Sequence, residues 1–219
     1  LFSTAVYADE AHNVLLDSMK DKNFVTVERL EQDELQEFCS QPRSASVDEA
    51  RAAKLREAAL KGVLIPKDER YLGDWQLGEK VASNGRGLQY SDDPEQENGG
   101  NCYACHQLDP KEVAYGNLGP SLSGYGARGQ STAMLQYTWT KLWNTHAYNI
   151  CSHMPRFGAA GILTEQQLRD VMAFLFDLVR RGVFEEITFN RLVVGHTHED
   201  IDALFSIISR HIAGLGIEY

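Results

Sequence analysis

The stretch Asn101-Cys102-Tyr103-Ala104-Cys105-His106 carries the most specific pattern in this chain. It contains C-x-x-C-H, which is typical of the attachment site of a c-type haem. Two thiols at this spacing form thioether bonds to one haem, and the adjacent histidine supplies an axial nitrogen to the iron. A redox dithiol or half of a zinc site is the alternative, but no second C-x-x-C or histidine pair lies nearby in the sequence. The stretch therefore predicts one covalently bound haem c, held by Cys102, Cys105 and His106.

The composition narrows the class of protein. The chain has 219 residues, of which 43% are hydrophobic, so it can bury a core without special cross-links. Its formal net charge of -10 argues against nucleic acid or an anionic membrane surface as a partner. We also predict no transmembrane span, because no apolar run approaches the roughly 18 residues that a spanning helix needs.

The first eight residues resemble the end of a signal peptide. They are small and apolar, and they finish in Val6-Tyr7-Ala8 before Asp9, a pattern that suits signal-peptidase cleavage. An ordinary apolar start is the alternative. Because haem c is attached outside the cytoplasm in bacteria, we predict a periplasmic protein, secreted through a cleaved signal peptide, whose mature chain begins near Asp9.

Two cysteines lie outside the haem motif, at Cys39 and Cys151. An oxidising compartment would allow them to form a disulfide. Sequence alone does not show whether they are close, so a free and reactive Cys151 remains the alternative.

Residues 9–70 form a predicted N-terminal extension. A helix is possible around residues 11–20, and Ser46 with Glu49 forms a capping box before an alanine-rich helix that should end at Gly62. This second helix either packs on the surface of the following domain or serves as a docking arm for a partner subunit.

Residues 71–177 form a predicted haem domain of mainly α structure, similar to class I cytochromes c. Its first helix should place Leu77 and Val81 on one face, with Gly78 allowing close approach of another helix. Residues 131–144 also look helical. The last helix, capped by Thr164, carries an apolar stripe at Leu168, Val171, Met172 and Leu175 and should cross the first one.

Met154 is the predicted sixth ligand of the iron. It lies on a loop beside a proline, where a methionine has little reason to pack in a core, and a thioether suits haem iron. His153 is the alternative and would imply a lower reduction potential. We further predict that the Pro120 carbonyl accepts from the free ring nitrogen of His106 and that Arg156 pairs with a haem propionate.

From about residue 9 to residue 177 the chain resembles SoxX, the monohaem cytochrome subunit of the SoxAX complex of bacterial sulfur oxidation. The most specific shared run is Cys151-Ser152-His153-Met154-Pro155-Arg156-Phe157-Gly158. The other shared stretches are Gly73-Asp74-Trp75 with Gly78-Glu79, residues 101–106, Gly119-Pro120-Ser121-Leu122 and the helix from Thr164.

This resemblance implies a role as the electron-transfer subunit of an L-cysteine S-thiosulfotransferase, with no catalysis of its own. SoxAX joins thiosulfate to a cysteine of the carrier SoxYZ, and the sulfur chemistry belongs to the SoxA subunit. The SoxX subunit is expected to accept the electrons and pass them to a small cytochrome c. A free-standing periplasmic monohaem cytochrome c is the alternative.

Residues 178–219 depart from that family and form a separate predicted tail. From residue 178 to about residue 213 the tail resembles a fragment of an uncharacterised, transposon-derived eukaryotic domain, with predicted short strands over 183–194 and a final helix from Ile201. His196 and His198 could bind a metal, although capping of a helix start by Thr197 and Asp200 explains the same residues.

Overall fold

The computed structural model describes residues 5–41 and 48–183, with side chains described for 10–41 and 48–177. Helices dominate this part of the chain, and its only β pairing is an isolated bridge between Lys22 and Val25. The prediction of a mainly α, class I cytochrome c-like fold is confirmed. The helices are α1 (Ala5–Ser18), α2 (Glu34–Cys39), α3 (Glu49–Lys61), α4 (Trp75–Ser83), α5 (Thr132–Asn144) and α6 (Glu165–Val183).

The crossing of α4 over α6 is the central packing contact of the haem domain. Asp74 caps α4 by accepting from the amide of Gln76 at 2.8 Å, and its own amide donates to the buried Asp170 carboxylate of α6 at 2.8 Å. At the crossing, a Cβ on Gly78 would collide with the Asp170 carbonyl. Gly78 therefore allows the two helices to meet backbone to backbone, as its position in the sequence predicted.

Helix α6 supplies much of the core. The side chain of Gln167 accepts from the Thr164 amide at 3.0 Å, and the Thr164 hydroxyl accepts from the Gln167 amide at 3.2 Å, so the predicted capping box is present. Its predicted apolar stripe is also buried, with exposures of 0–5%, at Leu168, Val171, Met172 and Leu175. This stripe faces both α4 and the haem site described below.

Helix α5 joins the extension to the haem domain. Ser131 caps it, and its Trp139 is fully buried. The Trp139 indole donates to the Leu64 carbonyl at 2.8 Å, and the Trp143 indole donates to the Gly62 carbonyl at 3.1 Å. The segment after α3 is therefore tied to the core, and with Ala52 and Ala59 of α3 also buried, α3 packs on the domain.

Three predictions about helices need correction. Asp48, not Ser46, caps α3, because its carboxylate accepts from the Arg51 amide at 2.9 Å, whereas Ser46 lies outside the described residues. Leu77 is 47% exposed, because α4 turns its small residues toward α6. Helix α1 begins at residue 5, earlier than predicted, and ends at residue 18.

Helix α6 continues to residue 183, past the predicted domain boundary at 177. The predicted strands and final helix of the tail, and the histidines at 196 and 198, lie outside the described residues. Among the described residues, no helix has the length and apolar character needed to cross a bilayer.

Candidate haem-binding site

A cavity of about 410 Å³ lies between the C-x-x-C-H turn, α5, α6 and the loop that carries Met154. Its walls are mostly apolar, with cations at Arg128 and Lys141. The residues that line it include Cys102, Cys105, His106, Leu118, Pro120, Leu122, Tyr125, Tyr137, His153, Met154, Phe157, Val171 and Leu175. The structure therefore brings five of the six predicted site residues to one cavity, and Arg156 is absent from its lining.

The C-x-x-C-H turn is built by local backbone geometry. Asn101 adopts a left-handed conformation with φ 49°, and a short 3-10 turn follows over Cys102–Ala104. The amides of Cys105 and His106 both donate to the Cys102 carbonyl, at 3.1 and 2.9 Å. This tight turn brings Cys102, Cys105 and His106 to the wall of the cavity.

The Cys102 thiol does not have the character of a redox-active cysteine. Burial, together with the neighbouring Cys105, raises the pKa of the Cys102 thiol to about 12. Redox-active cysteines need a lowered pKa so that a thiolate can attack, so the environment of Cys102 disfavours that alternative.

His106 is held by the loop that contains Gly119 and Pro120. Its Nδ1 lies 2.7 Å from the Pro120 carbonyl oxygen, and because a carbonyl only accepts, Nδ1 carries the proton. Nε2 is then left with its lone pair available for a metal. A Cβ on Gly119 would collide with the imidazole ring, and the Gly119 amide is fixed by a 2.8 Å bond to the Cys105 carbonyl.

The Met154 loop forms another wall of the cavity. Met154 is partly buried and packs against the core cluster, and its amide donates to the Ser152 hydroxyl at 3.2 Å. His153 also lines the cavity, but the residue is exposed. The structure thus offers both predicted candidates for the sixth ligand, with Met154 the more enclosed of the two.

Arg156 has a partner within the chain. Its guanidinium binds the Asp33 carboxylate at 2.6 Å. Its pairing with a propionate stays a prediction, for which the cavity lining gives no support. The cations that do line the cavity are Arg128, whose guanidinium lies 4.9 Å from the Tyr125 ring centre, and Lys141, which lies 5.1 Å from that of Tyr148.

Sequence reasoning missed several contributors to the site. Arg128 and Lys141 follow no motif, although Arg128 comes soon after the Gly-Pro turn. The disulfide between Cys39 and Cys151, left open by the sequence, is formed, with Cα atoms 5.5 Å apart. His146 was also missed: it is buried, and its Nε2 lies 3.0 Å from the Ser152 carbonyl oxygen.

These features fit a covalently bound haem. The cavity presents two thiols, an oriented imidazole and a thioether on mostly apolar walls, while Gly119 leaves space for the imidazole where any side chain would intrude. The fold and the site together define a cytochrome c-like haem domain.

Comparison with known proteins supports this class. Residues 76–178 match the family model for cytochrome c. An uncharacterized lipoprotein of Aquifex aeolicus (strain VF5) is 38% identical over 152 residues, which cover 67% of this chain and 70% of that protein. The chain therefore belongs to the same family as this Aquifex protein, with a cytochrome c domain that carries covalently attached haem c and serves electron transfer.

A second family model overlaps the end of the haem domain. A domain of unknown function, DUF7869, matches residues 162–218, and so shares residues 162–178 with the cytochrome c match. This agrees with the resemblance of the tail to an uncharacterised domain. In the structure, the shared segment forms α6 of the haem domain from Glu165 onward, and the predicted junction near residue 177 stays a prediction.

Proposed function

We propose that this chain is the electron-relay subunit of a SoxAX-type complex, in which His106 and Met154 are the two axial ligands of the haem iron. The observation that carries the proposal is that both side chains line one cavity. A bound haem would supply an iron that takes up and releases one electron at a time. Two protein ligands would close the iron to substrates, so the chain would relay electrons rather than transform a sulfur compound.

The residues of the chain have distinct parts in this proposal. Cys102 and Cys105 hold the cofactor covalently, and the Pro120 carbonyl keeps the His106 ring in one tautomer and orientation. Arg128 and Lys141 provide the positive charge on the cavity wall that propionates would meet. Apolar side chains from α6 keep water away, which limits the reorganisation that accompanies a change of charge.

The complex in which the relay would work follows from the resemblance to SoxX. A SoxA-like subunit would conjugate thiosulfate to a cysteine of the SoxYZ carrier and release two electrons, which this chain would accept one at a time. A small cytochrome c would then receive them. The net negative charge of the chain would favour a basic docking patch on one of these partners. We place the protein in the periplasm, where haem c is attached in bacteria.

A free-standing electron carrier is the second candidate, and one structural feature favours it. The extension packs on the haem domain of its own chain: the Arg29 guanidinium donates to the Leu88 carbonyl at 2.7 Å, and the Asn23 amide donates to the Tyr90 carbonyl at 2.9 Å. The alanine-rich helix that was the candidate docking arm, α3, also buries Ala52 and Ala59 against its own chain, so the extension does not by itself require a partner subunit.

Two experiments test these proposals separately. The ferric protein should show the weak far-red absorption of a methionine–iron bond, and Met154→Ala should abolish it while His153→Ala should not. Persistence of the band in Met154→Ala would refute the axial pair. Affinity purification from a sulfur-oxidising host should recover a SoxA-like cytochrome, whereas a stable monomer without partners would favour the free carrier.

A further inference from the structure

We propose that α2 and its flanking residues act as a strap that holds the Met154 loop in the position needed to ligate the iron. Asp33 and Cys39, at the two ends of the strap, reach the loop through Arg156 and Cys151. These four residues are positioning residues, since none of them is assigned to the iron. The proposal rests on the proposed axial role of Met154, and it assigns a function to an extension that a minimal cytochrome c domain does not need.

The strap is attached on both sides of Met154. Before it in the chain, Cys151 is bonded to Cys39, a cross-link between residues 112 apart in sequence. After it, the Arg156 guanidinium binds the Asp33 carboxylate at 2.6 Å. One short helix, α2, therefore fixes the loop three residues before the methionine and two residues after it.

Helix α2 is itself well anchored. Asp33 and Gln36 form a complete capping box, and Leu35 is buried at 9% exposure. The two carboxylate oxygens of Asp33 have different partners: Oδ1 accepts from the Gln36 amide at 2.8 Å, and Oδ2 binds Arg156. Burial opposes ionisation of Asp33, but the Gln36 amide and the Arg156 guanidinium outweigh it and lower its pKa.

The inner side of the loop is held by the core. His146 is buried in the short turn after α5, and its Nε2 lies 3.0 Å from the Ser152 carbonyl oxygen, to which it must donate. The Ser152 hydroxyl in turn accepts from the Met154 amide at 3.2 Å. The loop is thus fixed between the strap on one side and the core on the other.

Such fixing matters because the loop has no regular secondary structure to order it. A thioether is a neutral ligand, and it stays bound only if the loop does not gain much conformational freedom on release. A strap that restricts the released loop lowers that gain, in the same way that preorganisation strengthens binding. Cutting the strap should therefore weaken Met154 against a competing ligand without altering the haem attachment.

Imidazole binding to the ferric holoprotein measures this competition directly, because imidazole must displace the sixth ligand. Asp33→Asn removes the ion pair while keeping a side chain that caps helices well, and it should raise the imidazole affinity roughly two- to fivefold. The double variant Cys39→Ser/Cys151→Ser should raise it on the order of tenfold or more. Glu34→Gln is the matched control, since it removes a charge from the same helix at a residue that pairs with Arg51, away from the loop.

The outcomes separate the strap from the axial pair. If the far-red band depends on Met154 but neither strap variant gains imidazole affinity over Glu34→Gln, the strap is refuted and the axial pair stands. A lower unfolding midpoint without a change in imidazole affinity refutes the strap equally, because it shows a purely structural role. If the band is absent or survives Met154→Ala, the axial pair fails and the strap proposal fails with it. Asp33→Asn keeps the test valid should the double variant not fold.

Discussion

The two sides of the haem cavity are held in different ways. On the histidine side, the residues that orient His106 all lie within the 20 residues from Asn101 to Pro120. The contacts are backbone bonds, the bond from the His106 ring to the Pro120 carbonyl and one close approach by Gly119. On the methionine side, the loop is bonded to Asp33 and Cys39, which are more than 100 residues away in sequence. One proposed ligand is thus positioned by local structure and the other mainly by tertiary contacts.

Because of this difference, substitutions on the two sides of the cavity should have separate effects. A turn fixed by its own backbone bonds needs few contacts from distant segments, and covalent bonds to haem would keep it in place. The methionine loop has no such bond to the cofactor, so its position depends on segments that fold onto it. We expect substitutions on the histidine side to impair haem attachment, and substitutions on the methionine side to change ligand strength and stability while leaving the haem attached.

Gly119→Ala should have the largest effect and should act on the histidine side. The added Cβ would collide with the His106 ring, and the fixed Gly119 amide prevents the loop from moving away. We expect little holoprotein to accumulate, measured as covalent haem per chain by absorbance and mass spectrometry. Gly62→Ala is the control, because its Cβ would meet only ordinary contacts at 3.5 Å or more. Normal haem content in Gly119→Ala would contradict the close packing against His106.

Removal of the disulfide should be the next largest effect, and it should leave haem attachment intact. Cys39→Ser/Cys151→Ser frees a loop closed over 112 residues. We expect the free energy of unfolding to fall by about 2–4 kcal/mol, measured by urea denaturation of the purified holoprotein. Haem content per chain should equal that of the parent; a loss of covalent haem would show that the two sides of the cavity do not act independently.

The contrast between local structure and contacts of distant segments also determines which features could be predicted from the sequence. Cys102, Cys105 and His106 follow from one motif, and the close approach at Gly78 and the stripe on α6 follow from helical periodicity. The ion pair of Arg156 with Asp33 was not predicted, because nothing local in the sequence indicates it. The cap of α3 was misassigned because Ser46 and Asp48 are both good capping residues and only the structure separates them.

Contacts between distant segments were the least predictable. The sequence could name Cys39 and Cys151 as possible partners, but it could not decide between a disulfide and a free thiol. Leu77 looked like a core residue from its spacing with Val81, yet the close approach at Gly78 directs α4 to bury small side chains instead. In both cases the outcome depends on how two elements meet, which periodicity within one element does not encode.

Two serines allow a finer comparison of the two sides. Ser152→Ala removes the hydroxyl that accepts from the Met154 amide at 3.2 Å, whereas Ser121→Ala removes one that donates to the Gln107 side chain at 3.0 Å on the histidine side. Each should cost about 0.5–1.5 kcal/mol of unfolding free energy. Only Ser152→Ala should weaken the far-red methionine band or raise imidazole affinity. Equal spectra in the two variants would mean that the Ser152 bond does not help to position the ligand.

The smallest expected effect is a pH dependence of stability that arises at His146. Burial lowers the pKa of this imidazole from 6.5, and the hydrogen bond to the Ser152 carbonyl partly opposes this shift. The charge of Arg156 also lowers the pKa, whereas the charge of Asp33 raises it. As the pH falls below about 6.5, the unfolded chain takes up a proton at this residue that the folded chain still resists. Stability should therefore decrease as the pH falls from about 6.5 to the folded pKa.

His146→Gln isolates this contribution, because the glutamine amide can still donate to the Ser152 carbonyl but does not titrate near neutral pH. Urea midpoints of the parent and the variant, measured from pH 7.5 to pH 5, should converge as the pH falls, because only the parent loses the His146 contribution. Asp33, whose lowered pKa makes it lose stability only at still lower pH, should contribute equally to both proteins in this range. Parallel midpoints across the range would show that His146 is not kept neutral by its burial, and that the core holds the Met154 loop without a proton-dependent contact.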